Sequence, residues 1–251
     1  MHLTVLDPTN PKQPFPPLDA ALIEPNGLIA VGGCLSTHRL LNAYKDGIFP
    51  WYNAAEPILW WSPDPRLVVF PDQLQVSRSL RKTLRKGLFN FTFDQAFDQV
   101  VMACAQPREQ ESGTWITSDI HQAYRALHQL GVAHSIETWL NGELVGGLYG
   151  VALGQVFFGE SMFHTYTDAS KAAFVHLVEL LASWDYQLID CQVHTSHLES
   201  LGGHEITRDY FRKLLNQYCE LPTKPIAWQK LNTVNSSNKC ITHQFFSVHA
   251  G

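Results

Sequence analysis

Hydrophobic and polar positions organise this chain around one stretch, GELVGGLYGVALGQVFFGESMF, residues 142–163. It reads as two adjacent strands. Asn141-Gly142 is a two-residue hairpin turn between alternating runs, and Ala152-Leu153-Gly154 supplies a second turn. The second strand delivers Glu160 to its end, among Phe157, Phe158 and Phe163. Gly146, Gly147, Gly150, Gly154 and Gly159 remove side chains where a ligand or another backbone comes close. Two readings fit: a buried hairpin with bulges, or a site whose apolar wall and lone carboxylate hold an apolar group beside an amine.

Helical spacing surrounds this stretch. Ser36-Thr37 caps a helix with Leu40, Leu41 and Tyr44 on one face and Gly47 at its end. Asp94 is expected to cap a helix through Phe97, Val101 and Cys104, and Ser118 another with Ile120, Ala123, Tyr124, Leu127 and Leu130 facing inward. Asp168 or Ser170 opens a helix with the apolar stripe Ala173, Phe174, Leu177, Val178 and Leu181, and a last helix runs near 207–218. Strands are predicted near 27–33, 67–70 and 187–193. Pro8, Pro11, Pro14, Pro16 and Pro17 make the first residues an extended arm. Leu59-Trp60-Trp61-Ser62-Pro63-Asp64-Pro65-Arg66, close to Trp51, predicts a rigid aromatic loop, either an interdomain plug or a stacking platform for a base. The order strand, strand, helix, strand is also that of the GNAT acyltransferase core, an analogy at the level of fold.

At 251 residues, 45% hydrophobic and 16% charged, the chain suits one large globular domain or a domain with a small companion. A formal net charge of -5 argues against a nucleic-acid partner only on average. No acid occurs between Asp72 and Asp94, and Arg78, Arg81, Lys82 and Arg85 share one face of a helix starting at Ser77. A solvated basic face is the plain reading; in an acidic protein, a stripe without interleaved acids points to phosphate contact. The five cysteines form no CxxC pair and the twelve histidines no metal-ligand pair, so neither disulfides, a metal nor a cofactor is expected. No signal-peptide pattern opens the chain and no apolar run spans a bilayer, which predicts a cytosolic setting.

In Leu188-Ile189-Asp190-Cys191-Gln192-Val193, strand alternation places Asp190 and Gln192 on one surface. Spacing alone leaves open whether they satisfy each other or serve a site.

The motifs GLIAVGG, DGIFPWY, WWSPDPR, GTWIT, HS-x-E, ELVGGLYGVALG, FFGESMF, ASKAA and LIDCQ, followed by T-x-HL-x-SLGG, run from Phe15 to about Leu215. Through them the chain resembles the leucyl/phenylalanyl-tRNA-protein transferases. The resemblance implies an α+β protein with a small N-terminal domain over 1–66 and a GNAT-like acyltransferase domain over 67–221, its mixed sheet flanked by helices. A peripheral tail over 222–251 completes the expected organisation. It also implies a bacterial cytosolic enzyme that takes Leu or Phe, less readily Met, from aminoacyl-tRNA; separately, a monomer is expected. The residue is joined to the N-terminal Arg or Lys of a protein, marking that protein for N-degron degradation.

A tRNA ester is already activated, so the expected chemistry is orientation of an amine and management of one proton, without a covalent nucleophile. Gln192 is assigned nearest the amine, and Asp190 as its orienter or proton acceptor. Glu160 complements the cationic acceptor residue. Phe157, Met162, Phe174, Leu177 and Ile189 are expected to line the donor side-chain pocket, and Trp51 and Trp115 to stack on the terminal adenosine. The alternatives are a CoA-dependent N-acetyltransferase and a non-catalytic tRNA-binding adaptor. Against the first, Tyr166-Thr-Asp168-Ala-Ser-Lys171-Ala-Ala lacks the glycine-containing pyrophosphate loop. The chain departs from the family pattern at Cys34, where aspartate is usual, and at His164-Thr165, where Ser-Arg is usual and a positive charge is lost.

Overall fold

In a computed structural model, which describes residues 3–106, 114–224 and 227–228, Asn141 and Gly142 adopt φ of 53° and 85°. Positive φ at both central positions is the mark of the type I′ two-residue hairpin, so the predicted turn forms where these residues permit it. Two sheets are built. The smaller contains β1 (Thr4–Leu6), β2 (Leu28–Gly32), β3 (Phe49–Pro50) and β4 (Leu59–Trp61) in the order β1-β2-β4-β3. The larger contains β5 (Arg66–Val69), β6 (Asn90–Phe93), β7 (Ala133–Leu140), β8 (Glu143–Leu153), β9 (Val156–His164), β10 (Leu188–Gln192) and β11 (His204–Ile206). Its order is β11-β5-β10-β9-β8-β7-β6. The helices are α1 (Thr37–Lys45), α2 (Arg78–Arg85), α3 (Phe97–Cys104), α4 (Ser118–Gln129), α5 (Ala169–Ser183), α6 (Ser196–Glu199) and α7 (Arg208–Tyr218).

The large sheet is mixed and flanked by helices, as expected: β9 and β10 are parallel and α5 connects them, while the other pairings are antiparallel. Strand alternation sends Tyr149, Val156, Phe158 and Leu188 into a core shared with α1, α3, α4, α7 and the small sheet. It sends Ile136, Leu148, Phe157 and Ile189 into a second core under the stripe Ala173, Phe174, Leu177, Val178 and Leu181 of α5. Gly146 lets α5 sit close, because a Cβ there would lie 2.7 Å from that of Ala169.

Of the tail expected over 222–251, residues 225–226 and 229–251 lie outside the described residues. Four local expectations are corrected. Leu130, expected to face inward, is 61% exposed where it follows the last turn of α4 as its C-cap. The segment at Leu59–Trp61 is the strand β4, not a loop, with Trp60 fully buried and its Nε1 donating to Gly32 O at 2.9 Å. Asp94 does not cap α3; it takes φ 55°, accepts from Ser135 N at 3.0 Å and meets His134 Nδ1 at 2.7 Å, so its carboxylate serves a cross-strand contact. Thr117, not Ser118, caps α4 by accepting from Ile120 N.

Candidate active site

Strands β9 and β10 pair only from Leu188–Asp190 against Val156–Phe158 and then part. Each carries a bulge at this level. On β9, Gly159 and Ser161 face consecutive residues of β8, which leaves Glu160 as the extra residue; on β10, Asp190 and Gln192 face consecutive residues of β5, which leaves Cys191 extra. A bulge re-aims side chains beside it. Simple alternation therefore does not carry Gln192: its φ is 64°, and its Nε2 reaches across the fork to Glu160 Oε1 at 3.0 Å.

Glu160 is half-buried and collects two further donors. Tyr44 OH donates to Oε1 and Tyr124 OH to Oε2, each at 2.7 Å, and the two hydroxyls are in hydrogen-bond contact with each other. Both phenols are fully buried. Burial, then the charge of Glu160, raises both well above the ordinary tyrosine range. Glu160 is pushed up to about 8, chiefly by burial, with the Tyr124 and Tyr44 hydroxyls pulling it back.

Asp190 stands behind this group. Fully buried, it receives Arg66 Nε at 2.8 Å and Nη2 at 2.7 Å, while Oδ1 also accepts from Gln192 N at 2.9 Å. Arg66 Nη1 donates to Gly47 O at 3.0 Å, and the guanidinium lies 4.8 Å from the Phe49 ring centroid and 4.6 Å from that of Phe211. A bidentate pair with further hydrogen bonds is the form in which buried charge is tolerated. The Asp190 carboxylate thus holds the backbone of Gln192.

The five residues expected for a donor pocket come together in the core under α5: Phe157, Phe174, Leu177 and Ile189 are buried, and Met162 packs against them. Ile189 directly precedes Asp190 on β10, and Met162 lies two residues beyond Glu160 on β9. Trp51 is 46% exposed and its ring lies 5.8 Å from that of Trp61, whose Nε1 donates to Trp51 O at 2.6 Å. Trp115 is half-buried against the first core. Arg78, Arg81, Lys82 and Arg85 are exposed on α2, which Ser77 caps. None of the four has an ion-pair partner among the described residues. Among the described residues no cluster of His, Cys, Asp or Glu is arranged to hold a metal, and no helix is long and apolar enough to cross a membrane.

Three residues of this group were not singled out from sequence: Tyr44, Tyr124 and Arg66. Both tyrosines lie on apolar stripes and read as core. The one signal at Arg66 was a lone cation opening an apolar strand.

The chain matches the family model for leucyl/phenylalanyl-tRNA protein transferase over residues 68–216, and that for the N-terminal domain of the same family over 33–64. A Leucyl/phenylalanyl-tRNA--protein transferase of Methylococcus capsulatus is 59% identical over 227 residues, covering 90% of this chain and 97% of the relative. A protein of the same name from Nitrosomonas europaea is 60% identical over 215 residues, covering 86% and 91%. Among solved structures, a GCN5-related N-acetyltransferase from Kribbella flavida is 9% identical over 65% of this chain and 58% of its own, with a TM-score of 0.36, a loose likeness from which nothing further is taken. Matched in both parts and along nearly the whole length of its relatives, the chain belongs to the leucyl/phenylalanyl-tRNA protein transferase family.

Proposed function

We propose that this protein transfers Leu or Phe, less readily Met, from aminoacyl-tRNA to the N-terminal Arg or Lys of a protein, forming a peptide bond that marks the protein for N-degron degradation. Membership of the family carries this reading, and the bulged fork supplies a fitting site. The acceptor amine attacks the ester carbonyl, the bond to the ribose oxygen breaks, and the proton lost by nitrogen balances the one gained by that oxygen. An α-amino group has a reference pKa near 8, so an appreciable minority is unprotonated at neutral pH. Gln192 is the residue nearest the amine. Asp190 is its orienter, a role favoured over proton acceptance because both carboxylate oxygens are occupied by Arg66. Glu160 faces the cationic acceptor. The cluster of Phe157, Met162, Phe174, Leu177 and Ile189 takes the donor side chain, Trp51 and Trp115 the terminal adenosine, and the α2 stripe tRNA phosphates. We assign the work to a single chain in the bacterial cytosol, without a cofactor.

A CoA-dependent reaction is not favoured. At the start of α5, where such an enzyme holds a pyrophosphate, stands Asp168, whose carboxylate accepts from Thr83 Oγ1 at 2.9 Å. The test is incubation of leucyl-tRNA with an Arg-starting peptide. Leucine recovered on the peptide, with free tRNA released, is the expected result; binding of the tRNA without transfer would favour the adaptor.

A further inference from the structure

The contacts around Glu160 close on themselves. Tyr44 meets Oε1, Tyr124 meets Oε2, and the two phenols meet each other. Three oxygen–oxygen hydrogen bonds need three protons, and each phenol brings one. With Glu160 ionised, one of the three contacts among the half-buried carboxyl and the two fully buried phenols would press lone pairs together. With Glu160 protonated the count closes: the Tyr124 contact, in which the phenol donates to a carboxylate, reverses so that the acid donates to Tyr124, Tyr124 to Tyr44, and Tyr44 to Oε1. Gln192 Nε2 then uses the second lone pair of Oε1. Ionisation of a phenol is no alternative source of balance, since it would remove a proton from the ring.

We propose that Tyr44, Tyr124 and the Glu160 carboxyl form a closed ring of three hydrogen bonds in which Glu160 rests as the neutral acid, with both tyrosines as positioning residues whose hydroxyls stand ready to take up its charge and so govern its ionisation. The proposal rests on the reading above that Glu160 faces the cationic acceptor. The other groups around the ring agree with it. Tyr149 of β8 is buried nearby with its ring 5.5 Å from that of Tyr124, and it supplies no charge. Asp190 of β10 disfavours a second negative charge, while Arg66 of β5 favours one. Those two are bound to each other in a bidentate pair, so burial decides. When a cationic acceptor docks, Glu160 releases one proton to solvent, the tyrosine–tyrosine bond opens, and both hydroxyls turn to the new carboxylate. The charges balance: the carboxyl gains one negative charge against the positive charge of the acceptor.

The N-terminal segment, through Tyr44 on α1, thereby controls a group on β9 that lies 116 residues away in sequence. The first measurement needs no substrate. Infrared difference spectra of the free enzyme should show a carboxylic-acid C=O band that is lost on crossing about pH 8 and is missing from Glu160→Gln. Absence of that band near neutral pH would overturn the ring. The second uses Tyr44→Phe and Tyr124→Phe, each of which removes a donor that favours the ionised form. The band's midpoint should move up by about one pH unit or more, and the KM for an Arg-starting peptide should follow it while the KM for aminoacyl-tRNA stays put. Variants that lose activity with an unmoved midpoint would reduce the tyrosines to a structural role and overturn their assignment. A moved midpoint with a peptide KM indifferent to pH would uphold the ring and refute Glu160 as the acceptor-facing group.

Discussion

Gln192 Nε2 and Glu160 Oε1 are 3.0 Å apart across two strands that ceased to pair two residues earlier, so a side-chain hydrogen bond spans the fork where the sheet ladder ends. Two bulges make this possible, because each strand spends one residue to turn a polar side chain toward the other. The site is thus made by an interruption of regular structure inside a well-packed domain.

Gln192→Ala should lower kcat for peptide formation roughly 10- to 100-fold, the scale of one lost hydrogen bond to a charged or reacting group, while leaving aminoacyl-tRNA affinity nearly intact. Single-turnover kinetics and tRNA binding, measured on the same preparation, separate the two. Asp190→Ala should reduce turnover as well and also cost about 3–5 kcal/mol of stability, because it strands Arg66 in the core. An Asp190→Ala protein of unchanged stability would contradict the buried pair.

Replacing Arg78, Arg81, Lys82 and Arg85 together by alanine should weaken aminoacyl-tRNA binding and flatten its salt dependence. Each phosphate contact removed lowers the slope of log K against log salt by roughly 0.9 on duplex. The four are exposed, so the melting temperature should change little. An unaltered slope would remove α2 from the tRNA interface.

Phe174→Ala should relax the choice among Leu-, Phe-, Ile- and Val-charged tRNAs. A slot that admits γ-branched or unbranched side chains and refuses β-branched ones discriminates by about 1–3 kcal/mol per methylene-sized difference, and a hole beside it erodes that margin. The residue is buried, so a loss of about 3–5 kcal/mol in stability accompanies the change and the assay belongs at low temperature. The same ranking of the four donors in folded variant would return Phe174 to the core alone.

Trp51→Ala should raise the KM for aminoacyl-tRNA about 5- to 150-fold if its ring stacks on the terminal base, a contact of about 1–3 kcal/mol. At 46% exposure its loss should barely affect folding. An unchanged KM would assign the ring to its contact with Trp61 and nothing more.

Stability should fall as pH rises from 4.5 toward about 8, because folded Glu160 keeps a proton that the unfolded chain has already lost over that interval. The contribution is complete below the lower value and gone above the upper one, with a slope on the order of 1 kcal/mol per pH unit. Urea midpoints across the interval should show Glu160→Gln lacking this component. Parallel curves for the two proteins would mean that Glu160 titrates normally.

The sequence by itself determined the elements and the family. Asn141-Gly142 placed the hairpin, Ser36, Ser77 and Thr207 marked helix starts, and the stripe of α5 identified its buried face, because turns, caps and amphipathic periods are local properties. Glu160, Asp190 and Gln192 were also legible as polar residues in otherwise apolar strands. The failures were local signals overruled by distant partners: Asp94, a good cap by type, was claimed by His134 and Ser135 across the sheet, and the tryptophan-rich segment found β2 and β3 to pair with. Only the tertiary structure decided how the polar groups divide their work. Arg66 reaches Asp190 over 124 residues of sequence, and Tyr44 and Tyr124 reach Glu160 over 116 and 36. Periodicity reports that a tyrosine faces the core. It carries no information about which carboxyl its hydroxyl will meet there, since that depends on how α1 and α4 pack against a bulge whose position the side-chain alternation does not encode.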